Sequence, residues 1–364
     1  MKRYLFLSLC SLLFSGLAGC ASGIDGVGYY WQSISGHLSL MRAGRPVDEV
    51  LEDSTMPQST RRKLTYAAKA REFASTELGL PDNGSYRRYA DIGRSHVVWN
   101  VFATEALSLE LKRWCFPVAG CIGYRGYYEK QTADKFAQQL AAQGMDVQVA
   151  GVPAYSTLGW FDDPIPSTVI RYPEAFIARL IFHELAHQVV YVKNNSTFNE
   201  SFATAVEIEG MKRWFRWRQR TGEPPAEQAQ YEQAASRKRD FVALLRNSRL
   251  ALETLYASDV TVVDKRRGKA QIFADLQSSY QRLKEQIWLG YSGYDKWFDQ
   301  PLGNAHLAAV GAYHDLVPAF SQLLADSGNQ MDKFYQSVQQ LGNEAVGERD
   351  RQLKALSMRA NAAK

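Results

Sequence analysis

The sequence predicts a predominantly helical α+β protein: a small mixed sheet, a helix bearing His183-Glu184-Leu185-Ala186-His187, and a long helical hairpin in the C-terminal half. Three observations carry this. Apolar residues recur at helical spacing through most of the chain, two segments of the first half alternate instead, and residues 226–287 are charged and heptad-like.

The chain opens on Met1-Lys2-Arg3 and the apolar stretch Tyr4 to Leu17, too short for a comfortable membrane span. Leu17-Ala18-Gly19-Cys20 then sets small residues before a cysteine, which resembles the bacterial lipobox, where the cysteine is acylated. The expectation is a leader over 1–19, a lipid on Cys20, and a remainder, 20–364, anchored in the cell envelope. Ala21 follows, with no Asp, a pattern that implies the periplasmic face of the outer membrane. Cys10 leaves with the leader. In that oxidising compartment Cys115 and Cys121 are expected to pair, closing a small loop.

Residues 30–51 and 60–80 read as two helices. Residues 86–104 and 117–128 alternate as strands, 132–144 is a helix, and 146–160 reads as strands broken at Gly151 and Pro153. An edge strand over 152–161, carrying Tyr155, is the candidate to pair with an extended substrate. Asp162 or Asp163 at its end, or Glu174, is a candidate to hold a substrate ammonium; capping a structural loop is the equal alternative.

The next helix starts at Tyr172-Pro173-Glu174. Its histidines are four apart and so share a face, as two ligands of one Zn²⁺ require. Glu184 can reach water at such a site without ligating the metal, as a general base must. Lys193 to Thr197 is a polar break, and 198–210 resumes the helical pattern with Gly210 as a possible stop. Two antiparallel helices joined there bring His187 and Glu200 to similar depth, which supports Glu200 as the candidate third ligand. Glu207, on the same face, falls near the level of His183 and suits an imidazole N–H; an ordinary solvated carboxylate is the alternative. Residues 226–287, and with their flank about 226–290, form the hairpin, turning at Asp259-Val260-Thr261. Lys265-Arg266-Arg267-Gly268-Lys269 reads as a solvated turn.

His183-Glu184-Leu185-Ala186-His187 with Asn199-Glu200-Ser201-Phe202-Ala203 resembles the gluzincin metallopeptidases. The chain beyond the leader resembles a bacterial lipoprotein family of predicted aminopeptidases, through residues 154–164, both metal segments, and Tyr313-His314-Asp315-Leu316-Val317-Pro318. The resemblance implies a zincin-like fold, one Zn²⁺ per chain held by His183, His187 and Glu200, Glu184 as base, and a peptide substrate. It also implies an oxyanion donor on a later helix, with Tyr313 first and His314 second. Three departures stand out. Twelve residues separate His187 from Glu200, fewer than in the better-known zinc aminopeptidases. The Gly-x-Met-Glu-Asn segment that holds the substrate amine is absent, and Thr204 stands where thermolysin-like enzymes carry an orienting aspartate.

An envelope endopeptidase or amidase, or a non-catalytic lipoprotein with a structural zinc, are the alternatives. The formal charge of +5 includes Lys2 and Arg3 and carries no signature of nucleic-acid binding.

Overall fold

Gly44-Arg45-Pro46 divides the first stretch expected to be one helix. In this computed structural model, which describes residues 24–116 and 120–362 (without the side chains of 24–27, 312 and 313), α1 (Ile24–Arg42) gives way to β1 (Gly44–Pro46) and then α2 (Val47–Glu52). Pro46 cannot continue a helix, and β1 pairs antiparallel with β2 (Arg88–Ala90) instead. The signal segment and Cys20 lie outside the described residues.

The protein is α+β and mostly helical. After α3 (Gln58–Thr76) come β3 (Val98–Thr104), the hairpin β4 (Trp114–Phe116) and β5 (Gly120–Ile122), β6 (Arg125–Tyr127), α4 (Lys130–Ala142), β7 (Asp146–Val152) and β8 (Ile165–Pro166). The strands form three small sheets, ordered β1-β2-β8, β6-β3-β7 and β4-β5. In the second, Val98 faces Val152 and Thr104 faces Asp146, so β7 runs antiparallel to β3 along its full length. One face of this sheet, with Val101, Ala103, Tyr127, Val147 and Val149, packs on Ala133, Ala137 and Leu140 of α4. Alternation then turns Asn100, Phe102, Gln148 and Ala150 the other way. Cys115 and Cys121 are joined by a disulfide across β4-β5.

Helices follow: α5 (Ser167–Ile170), α6 (Glu174–Val189), α7 (Ser196–Arg220), α8 (Gln228–Ala257), α9 (Val262–Arg282) with a π-helical end at Leu283–Ile287, α10 (Asp295–Phe298), α11 (Asn304–His314), α12 (Val317–Asp326), α13 (Met331–Asn343) and α14 (Val346–Ala362). The main core joins α3, α6, α7, α12 and α13 through Phe73, Phe182, Phe202, Trp214, Phe320 and Phe334. Gly210 does not stop α7. It lets two helices approach, since a Cβ there would lie 2.9 Å from Phe182 and 3.0 Å from Leu78. The pair α8 and α9 forms the expected hairpin around a second core of Phe241, Leu245, Leu252 and Tyr280.

Two further expectations fail locally. The basic run 265–269 lies inside α9, because Thr261 caps that helix by accepting the Asp264 N–H at 3.1 Å and helix formation begins before the run. Lys269 then reaches Asp146 at 2.5 Å. The strand expected over 152–161 stops at Val152, where β3 runs out of partner residues. Pro153 and the positive φ of Leu158 (59°) and Gly159 (81°) turn the chain into a loop. Asp163 fastens that loop, its Oδ2 accepting the Thr157 N–H at 2.7 Å and hydroxyl at 3.0 Å. Among the described residues, no helix is long and apolar enough to cross a membrane.

Candidate metal centre

Helix α6 forms because Pro173 pre-sets its entry, Glu174 favours its first turn, and Ile177, Ala178, Ile181, Phe182, Leu185 and Ala186 are buried along it. His183 and His187 project from the remaining face, where their rings meet edge to face at 4.9 Å. The connection to α7 is latched by two asparagines. Asn195 accepts the Phe198 N–H at 3.0 Å as N-cap, and buried Asn199 grips Val192 both ways, accepting its N–H at 2.7 Å and donating to its carbonyl at 2.9 Å. A third, Asn194, accepts the Cys121 N–H at 2.7 Å, so the disulfide hairpin braces the same turn. Glu200 directly follows Asn199, and this latch sets it opposite the histidines.

The Nε2 atoms of His183 and His187 lie 3.2 Å apart, and Glu200 Oε2 is 3.3 Å from the first and 3.7 Å from the second. Ligands about 2.0–2.1 Å from a tetrahedral zinc stand roughly 3.4 Å from one another, so this triangle has the size of three zinc ligands. The three residues could hold a metal ion. His183 Nδ1 is 3.0 Å from Glu207 Oε2, and an N–H donated there turns the Nε2 lone pair toward Glu200 and His187.

The electrostatics favour a cation at the same point. Burial opposes charge on His183, yet its bonds to Glu200 and Glu207 hold its pKa above the ordinary histidine value. Burial likewise pushes against charge on Glu200, but His187 and His183 pull its pKa down to about 2. Burial raises the pKa of Glu184, with the two histidines opposing.

Around this cluster is a cavity of about 820 Å³. Its sheet wall is aromatic and uncharged, with Asn100, Phe102, Tyr124, Tyr128 and Gln148. Its helical wall carries the charge, with Arg179 and Glu184 on α6, Glu200 and Glu207 on α7, and Lys238 on α8.

A family model described as "Putative aminopeptidase" matches residues 28–353, nearly the whole chain. The chain belongs to that family. No curated protein and no solved structure matches it. Membership of this aminopeptidase family points to peptidase activity.

Against that background the cavity brings together His183, Glu184, His187, Glu200, Glu207, Tyr155 and His314. Tyr155 has its hydroxyl 2.6 Å from both His37 Nδ1 and the Tyr128 hydroxyl. Burial, then Lys238, push the His314 pKa down to about 4, so its ring is neutral near pH 7. Tyr313 precedes it on α11, its side chain outside the described set. Asp162 and Asp163 do not line the cavity, and Glu174 is paired with Arg62 at 2.9 Å. Three residues escaped the sequence reading. That reading gives Asn199 no role in holding the metal site, although its place directly before Glu200 is a usable signal. Arg179 and Lys238 carried none, because their meeting at Glu207 depends on how α8 packs against α6.

Proposed function

We propose that the chain is a zinc-dependent peptidase with a zincin-like site, in which His183, His187 and Glu200 hold one Zn²⁺. The observation that carries this is the 3.2, 3.3 and 3.7 Å triangle of ligand atoms with Glu184 beside it in the cavity. A zinc ion bound there would polarise a peptide carbonyl and acidify water. Glu184 takes the proton of the attacking water on its carboxylate and passes it to the leaving amine. Glu207 holds His183 in the tautomer that turns Nε2 inward. His314, neutral and lining the same cavity, is the described candidate to donate to the oxyanion; Tyr313 is the other.

The finer reading is an aminopeptidase, supported by the family. The leader and Cys20 support a lipid-anchored envelope protein on the periplasmic face of the outer membrane, as one functional unit over 20–364. The Cys115–Cys121 disulfide accords with that compartment.

The test is metal content by mass spectrometry on residues 21–364, beside His183→Ala and Glu200→Ala, followed by a screen of free and N-blocked peptides. About one zinc per chain, lost in both variants, is expected. Zinc surviving Glu200→Ala would break the ligand set. Cleavage of blocked peptides alone would replace the aminopeptidase by an endopeptidase.

A further inference from the structure

With two carboxylates assigned to the metal centre, the helical wall holds two full cations against one remaining carboxylate. Three acids line the cavity: Glu184, Glu200 and Glu207. Glu184 and Glu200 are taken by the metal centre. Glu207 is shared, with one oxygen 3.0 Å from His183 Nδ1 and the other 3.5 Å from Arg179 and 3.9 Å from Lys238. Two full cations thus face one carboxylate, and 3.9 Å is beyond hydrogen-bonding distance for the Lys238 ammonium. The donors left over point the same way. Arg179 Nε is buried and makes no hydrogen bond among the described residues, while its guanidinium is held over the Phe176 ring at 4.7 Å. Burial, then Arg179, lower the Lys238 pKa to about 8 against the pull of Glu207, so the ammonium is mostly charged at pH 7 yet short of partners. His314 does not alter this balance, because burial keeps its ring neutral near pH 7. Two part-buried cations that share one carboxylate have capacity for a second anion, and a ligand carboxylate would supply it.

We infer that Arg179 and Lys238 form an anion subsite that selects peptides carrying a carboxylate close to the scissile bond. This rests on the peptidase reading and gives it a substrate class. The carboxylate has two possible sources, the free C-terminus of a very short peptide or an acidic side chain. Among the described residues the cavity has no fourth carboxylate to hold a substrate ammonium, so recognition of the substrate's negative end is the contact this site is equipped to make.

The experiment is calorimetric titration of the zinc-loaded full chain bearing Glu184→Gln, so that ligands persist, with Ala-Ala, Ala-Ala-amide, Glu-Ala-amide and Gln-Ala-amide. Ala-Ala or Glu-Ala-amide, according to the source, should bind about tenfold or more tighter than its neutral partner, as for a charge-assisted hydrogen bond. Lys238→Met should erase that gap while leaving the amides' Kd and the zinc content unchanged, and Lys238→Arg should restore it. Lys238 is part-exposed, so its substitution is tolerated by the fold better than one at Arg179. Equal affinities within both pairs, no binding by any peptide, or equal weakening of acid and amide by Lys238→Met would each overturn the subsite. Wild-type cleavage of amides and acids at one rate would leave the peptidase standing without it. Discrimination in binding with no cleavage by the wild type would leave the subsite and remove the peptidase.

Discussion

The two walls of the cavity are built on different principles. On the helical wall, α6 and α7 present ionisable groups at intervals fixed by the helical repeat, and each group has a charged neighbour. On the sheet wall, β3 and β7 present uncharged side chains by alternation, among them Asn100, Phe102, Gln148 and Ala150, with Tyr124 and Tyr128 added on either side of β6 and Tyr155 from a loop that Asp163 ties down. Helix α11 is the seam, packing Ala305 and Ala309 against Phe102 of the sheet while His314 closes on the helical side. The difference assigns chemistry to one wall and shape to the other. Substitutions at His183, Glu184, His187 and Glu200 should therefore act on metal and turnover, and those on the sheet wall on fit.

Glu184→Gln tests that division most severely. It keeps the volume and removes the proposed base, so kcat should fall about 10²–10⁴-fold with zinc content unchanged. Turnover at the wild-type rate would move proton transfer off the helical wall and end the comparison.

Asn199→Ala should act on the hinge of that wall. The substitution strands the N–H and carbonyl of Val192, bonded at 2.7 and 2.9 Å, at a cost of about 2–4 kcal/mol in stability. Zinc affinity should drop with it, because Glu200 loses its fixed position. Chemical denaturation with and without zinc would measure both. A variant as stable as the wild type would show that the turn is set elsewhere, for example by the contact of Asn194 with Cys121.

This same wall was the most legible part of the chain. A spacing of four residues on a helix and a cap before the second helix are local rules, and they sufficed to bring His183, His187 and Glu200 together. Even the depth of Glu207 followed from the rise per residue. The sheet wall was legible only as alternation. The strand expected over 152–161 fails because its extent depends on how long β3 remains beside it, a non-local fact, and because Asp163 turns inward to cap a loop. The split at Gly44-Arg45-Pro46 has the same cause, since β1 exists only because β2 lies alongside. Arg179 and Lys238 meet through tertiary packing, which no pattern in either helix announces.

The seam gives the next effect. His306 on α11 is buried and accepts the Gly303 N–H on Nδ1 at 3.1 Å. Burial depresses its pKa to about 4, with Asp146 opposing; Asp146 itself is paired with Lys269. A depressed histidine contributes stability that is complete above its unfolded pKa, about 6.5, and is lost as pH falls toward the folded value. Between pH 6.5 and 5 the loss should be about 2 kcal/mol. His306→Asn retains an acceptor without the titration, so its denaturation midpoint should fall less steeply over that range. Parallel pH profiles for the two proteins would place the acid sensitivity outside the seam.

Tyr155→Phe should produce the smallest effect, and it tests the sheet wall directly. The hydroxyl bonds His37 and Tyr128, each at 2.6 Å, so its removal leaves two partners that can still turn to each other or to water. Stability should fall by about 1 kcal/mol, the net worth of such a bond, and kcat should change less than about threefold. A change confined to KM would keep Tyr155 among the groups that shape the cavity. A fall in kcat comparable to that of Glu184→Gln would instead make this hydroxyl an oxyanion donor, and the sheet wall would then share the chemistry that the charge distribution assigns to the helices.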